Sequence, residues 1–144
     1  MDEVVNMRKI LALVPLLALC IPAMATELPD MMGNWSGVMD FVGYDQNTAW
    51  LPNETVSYWP NEELKLTITE QKGRSFSGTM IPGLSPLSKE VVLGVLCSEN
   101  KSITMVDENG YWWGDVISPT EIELNYQEVG INGMVTGSGV FKKA

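Results

Sequence analysis

The chain has 144 residues, no histidine, two cysteines and a formal net charge of −9. The missing histidines exclude Ser-His-Asp and Cys-His nucleophile systems and every histidine-based zinc or copper site. With its acidic balance and no basic run, the chain repels nucleic acid and anionic lipid surfaces, so neither is an expected partner.

Residues 1–25 are laid out as a secretion signal. Arg8 and Lys9 precede an apolar run that ends in Ala23-Met24-Ala25, the small-x-small pattern read by a signal peptidase. The run is shorter than the roughly 20 apolar residues of a membrane helix, and Pro15 and Pro22 interrupt it. An uncleaved anchor is the alternative. Asp2 and Glu3 are unusual at the start of a leader and leave Met7 as a second candidate start. Cys20 raises a lipid anchor, but Leu19 before it is too large for the usual lipoprotein cleavage. Cleavage leaves residues 26–144 as one domain, with no membrane span and the net charge still at −9. The expected location is extracellular or in the cell envelope, periplasmic in a two-membrane cell. Cys97 is then the only cysteine, so no internal disulfide forms. It is expected to be a buried, inert thiol, with an intermolecular disulfide as the alternative.

From residue 26 onward no helical period is sustained. Eight short alternating runs recur instead, at 34–43, 63–70, 75–81, 90–97, 102–106, 111–117, 121–128 and 134–142. The turns between them are explicit. Gln71-Lys-Gly-Arg74 places Gly73 where a positive φ is needed, and Asp107-Glu-Asn-Gly110 contains the commonest tight-hairpin pair. Links this short cannot cross a sheet, so successive strands pair antiparallel as a meander. Eight such strands can close into a barrel whose interior holds side chains or one small ligand. The fold class is therefore all-β, a single eight-stranded antiparallel up-and-down barrel.

Alternation assigns inward faces. These are Leu64, Leu66 and Ile68; Phe76, Gly78 and Met80; Val91, Leu93 and Val95; Ile103 and Met105; Ile122, Leu124 and Tyr126; and Val135, Gly137, Gly139 and Phe141. The sixth run, Tyr111-Trp-Trp-Gly-Asp-Val-Ile117, is bulky on both faces and cannot be oriented. An outer-membrane barrel would reverse these faces, but its strands need about 9–11 residues and several runs are shorter.

Gly33-Asn-Trp35 at the start of the first strand, followed by a β meander, resembles the lipocalin and avidin-like (calycin-type) barrels. The resemblance implies that Trp35 plugs one end and that a basic residue of the last strand lies over it. Lys142 and Lys143 are placed for this, and by parity Lys143 is the better candidate for a cation–π cap. The stretch 64–79 is similar to a hairpin of small exported prokaryotic proteins of unassigned function. Avidin's biotin-contacting pattern cannot be laid onto this chain, and the common lipocalin disulfide is missing.

Residues 44–62 form the longest irregular stretch and hold Tyr44, Trp50, Tyr58 and Trp59. Such a loop would lie over the barrel mouth, where Trp50, Tyr58 and Trp59 either close on a ligand or pack on the rim. In a regular strand one of Trp112 and Trp113 must face outward, either as a ligand platform or subunit interface or buried under the 44–62 loop. Met39, Met80 and Met105 fall on inward parity, suited to a pliant pocket and to ordinary core filling alike. Asp40, Asp115 and Tyr126 are the only acid–base candidates, and a solvated strand Asp is the default for Asp115. Sequons at Asn34, Asn53 and Asn100 matter only in a cell that glycosylates exported proteins.

The expected function is an exported, non-enzymatic barrel that binds a small apolar or amphipathic ligand through Trp50, Tyr58, Trp59, Trp112, Trp113 and Tyr126. No catalytic residue, metal or cofactor is assigned. One alternative is a structural or protein-interaction module of the cell envelope with a filled core, for which a second copy of the chain is an allowed partner. The other is a barrel-type isomerase or cyclase.

Overall fold

A computed structural model of the chain describes residues 27–45, 55–83, 88–130 and 133–144. The leader, its cleavage point, Trp50 and Asn53 lie outside the described residues. The eight strands are β1 (Gly33–Asp45), β2 (Thr55–Lys72), β3 (Ser75–Ile81), β4 (Glu90–Cys97), β5 (Ser102–Val106), β6 (Tyr111–Ser118), β7 (Glu121–Val129) and β8 (Gly133–Lys143). Each pairs antiparallel with the next, and β8 pairs with β1 to close the barrel. The turns follow their chemistry. Gly73 adopts φ 58°, and the Asp107 carboxylate accepts hydrogen bonds from the N–H groups of Asn109 and Gly110 at 2.9 and 2.6 Å.

The period-2 pattern turns one apolar row of each strand inward. Met39, Leu64, Leu66, Met80, Ile103, Met105, Leu124 and Phe141 are all buried in one continuous cluster that fills the interior. Outward positions mix exposed charges, among them Lys65, Asp115, Glu123 and Lys142, with exposed apolar residues such as Val38, Leu93, Val106 and Val140.

Two expectations need correction. The stretch 44–62 is not mainly a loop, because β2 begins at Thr55 and runs through Tyr58 and Trp59. Pro60 has no N–H to give the ladder, and the strand crosses it by a register shift between Met39 and Phe41 of β1. Asn61 there has φ 61°, and its N–H is held by the Asp40 carboxylate at 2.9 Å. The face of β4 is also reversed. Val92 and Leu96 are buried, whereas Val91 and Leu93 are more than half exposed and Val95 lies on their outward side. The run is apolar at both parities, so Gly94 decides. A Cβ at Gly94 would lie 2.3 Å from the Phe76 ring, so only a residue without a side chain can face that ring. The orientation of β6 is now defined: Trp112 and Gly114 face in, Tyr111, Trp113 and Asp115 face out.

One end of the barrel is sealed. Trp35 is 2 % exposed, and its indole N–H donates to the Met31 carbonyl at 2.9 Å. Lys143 Nζ lies 5.4 Å from the centre of the Trp35 ring, as its parity implies, while Lys142 turns out toward Glu121. The sequence did not disclose a further strap. Residues 29–32 cross this end, with Met31 buried and its N–H donating to Gln71 Oε1 at 2.7 Å. Lys143 Nζ ties the strap down by donating to the Asp30 carbonyl at 2.7 Å and its carboxylate at 3.2 Å. The Met32 N–H and then Lys143 hold that carboxyl below its ordinary pKa.

Candidate functional site

The opposite end is built differently. It gathers the last residues of β1, β3, β5 and β7 and the first of β2, β4, β6 and β8. Aromatic side chains form its inner layer. Trp112 and Tyr126, cross-strand partners on β6 and β7, have ring centroids 4.4 Å apart. Phe41 of β1 meets Tyr126 edge-on at 6.3 Å. Trp59 is half-buried and packs against the same core, as does Val135. Gly110 of the β5–β6 turn lies under the Tyr126 ring, where any Cβ would come within 2.2 Å of ring carbon.

Carboxylates rim this layer. The second oxygen of Asp107 accepts from the Trp112 indole N–H at 2.7 Å, so one side chain fixes both the hairpin and the indole. The Tyr126 hydroxyl donates to Glu128 at 3.0 Å. Glu90 takes the inward parity of β4. Its carboxyl is pushed above its ordinary pKa, first by burial and then by the negative charges of Asp107, Glu128 and Glu108. Burial, followed by Asp107 and Glu128, also raises the Tyr126 phenol far above its usual range. Tyr126 therefore keeps its proton throughout the physiological range and serves as a hydrogen-bond donor, not as a base.

Of the six residues singled out from sequence, Trp112, Tyr126 and Trp59 fall at this end with their rings turned inward. Tyr58 is 74 % exposed on the outside of β2. Trp113 also faces outward, stacked on Tyr111 at 5.7 Å. Trp50 lies outside the described residues. The acid–base candidates do not meet: Asp40 and Asp115 are both exposed on the outer wall, away from Tyr126. Asp107, Glu128 and Glu90 were not anticipated. Each is the carboxylate nearest a strand end, and only closure of the barrel brings them together.

Among the described residues, two depressions stand out, and both lie outside the barrel wall. One, of about 500 Å³, runs along the β5–β6 hairpin beside Asp107, Tyr111 and Gln127. The other, of about 310 Å³, flanks the strap at Leu28, Met32 and Gln71. A cup running the length of the barrel is not present among the described residues, because buried side chains occupy it. No group of three or more Cys, Asp or Glu among the described residues is placed to hold a metal ion. Comparison with protein-family models and with curated proteins found no match to this chain.

Proposed function

We propose that the chain is an exported, non-enzymatic β-barrel that binds a small amphipathic ligand at the end opposite the Trp35 seal. The observation that carries this reading is the contrast between the two ends. One is closed by an indole, a buried methionine and a lysine strap, and the other stacks Trp112, Tyr126 and Phe41 beneath Asp107, Glu128 and Glu90. An apolar body would rest on the ring edges, and a polar end would meet the carboxylates. Those carboxylates accept hydrogen bonds, so the matching end is a donor, best a protonated amine. With the interior filled, such a ligand sits at the mouth and not in the depth of the barrel. Acid–base chemistry is disfavoured, because Tyr126 does not release its proton and Asp107 is committed to the turn and to Trp112.

Octylamine and octanoate, which share a chain and differ in the sign of the head group, test this reading. Octylamine should change tryptophan emission saturably at pH 7, and octanoate should not. Tyr126→Leu should remove the octylamine response while the fold is retained. No saturable response to octylamine, or an equal response to octanoate, would count against the proposal.

A further inference from the structure

We infer that the outer wall formed by β3 to β6 is a self-association surface, through which two copies of this chain meet about a two-fold axis. The inference does not depend on the mouth, since it uses the opposite face of the same strands. No outward position of β3, β4 or β5 carries a charge, and the first on β6 is Asp115. In a chain of net charge −9 this is an unusual stretch of wall. Strand register assembles its apolar residues into one patch. Leu93 pairs with Val106, and Val106 pairs with Tyr111, so these three form a row across three strands. In the neighbouring row Thr104 pairs with Trp113. Leu93 is 56 % exposed and Tyr111 45 %, and the Trp113 ring is already stacked on Tyr111.

Charge selects the occupant. Arg74, Glu99 and Lys101 lie beyond one edge of the wall, and Lys89 and Glu108 beyond the other, all exposed. An apolar centre with a charged rim is the anatomy of an interface. Two copies of a strongly acidic chain repel at most orientations. Where both present this face, Asp115 is the only carboxylate each copy brings on the outward side of β3 to β6, and a two-fold contact sets the same patch against itself. Its size sets the strength. The 28 residues of β3 to β6, at about 3.3 Å along strands about 4.8 Å apart, span about 440 Å² per copy; because the four strands curve around half of the closed barrel, about 900 Å² for the pair is an upper bound. That is below the roughly 1,200 Å² at which stable specific interfaces begin and in the range of transient ones, so the dimer should be reversible and weak.

Sedimentation equilibrium tests this on the chain from residue 26 onward, under reducing conditions so that Cys97 cannot link copies. This part holds its own fold, because every strand finds both partners within the barrel. The average mass should rise from that of the monomer at about 5 µM toward twice that value at about 1 mM. Raising salt from about 20 to about 200 mM should strengthen association by screening repulsion between the acidic copies. Thr104→Lys and Thr104→Glu should each weaken it at least about tenfold, and a 1:1 mixture of the two should recover it, as expected of a residue near the two-fold axis. Leu93→Glu should abolish it, and Ser138→Glu, on the β8 wall, should not. A monomer mass unchanged through about 1 mM would overturn the inference, as would a dimer lost in Ser138→Glu but retained in Leu93→Glu. The wild-type concentration and salt series decides the matter even if a variant fails to fold.

Discussion

Replacing Gly94 with alanine probes the packing of β4 with a single methyl group. The added Cβ would lie 2.3 Å from two carbons of the Phe76 ring and 2.8 Å from Met105 Cγ. Phe76 is 5 % exposed and Met105 2 %, so neither can swing into solvent. Overpacking of this kind costs about 1–3 kcal/mol. Alanine returns about 0.4–1 kcal/mol by restricting the unfolded chain, leaving a net loss of about 1–2 kcal/mol. For a domain of this size that lowers Tm by roughly 3–10 °C. Phe76→Leu removes the ring that the methyl strikes, so Gly94→Ala should cost much less in that background, where the Met105 contact at 2.8 Å remains. The two substitutions then couple by about 1–2 kcal/mol, well outside additivity. Urea unfolding followed by tryptophan emission supplies all four stabilities of the cycle. A neutral or stabilising Gly94→Ala in the wild-type chain would refute the packing, as would strict additivity. Either result would mean that β4 presents Val91, Leu93 and Val95 to the interior.

Other expectations follow from the two ends of the barrel. Asp107→Ala removes the cap of the hairpin and the partner of the Trp112 indole; it should cost about 2–3 kcal/mol and shift the Trp112 indole N–H resonance. Lys143→Met should cost about 1 kcal/mol through loss of the cation–π contact and the strap bonds, measured by urea unfolding. Glu90 has a raised pKa in the fold, so its contribution to stability is fully present below its ordinary value of 4.5 and is lost as pH rises through the raised one. Glu90→Gln should therefore raise Tm at pH 7, by about 1–3 °C given the partial exposure of the group, and the gain should vanish below about pH 4. A thermal-melt series from pH 3.5 to about 8 checks both the sign and the window.

The barrel was legible because its turns are chemically explicit and most strands alternate cleanly. Trp35 and Lys143 were readable as a pair through the resemblance to the lipocalin and avidin-like barrels, with strand parity choosing Lys143 over Lys142. Legibility failed where a local signal was balanced or misleading. Val91-Val-Leu-Gly-Val-Leu96 is apolar on both faces, and its orientation depends on a Phe76 ring that no periodicity reveals. Pro60 reads as a strand breaker, yet a bulge accommodates it and β2 continues. The carboxylate rim was beyond reach for a different reason. Glu90 on β4, Asp107 in the β5–β6 turn and Glu128 on β7 share a site only because the sheet closes. Asp107 in particular looked like an ordinary turn residue, and its second oxygen, on Trp112, shows only in three dimensions. The outer wall is an intermediate case: its lack of charge was present in the sequence, but the patch is visible only once β4 is turned the right way.

The two ends of the barrel differ in construction, and each carries its own reporter. The Trp112 indole N–H is held by Asp107 at the mouth, and the Trp35 indole N–H by Met31 at the seal. A proton–nitrogen correlation spectrum recorded during titration with octylamine at pH 7 follows both at once. The Trp112 indole should move saturably, together with the Gly110 amide that lies under Tyr126, while the Trp35 indole stays in place. Movement of Trp35 in preference to Trp112, or no movement of either up to millimolar amine, would contradict the assignment of the ligand to the mouth.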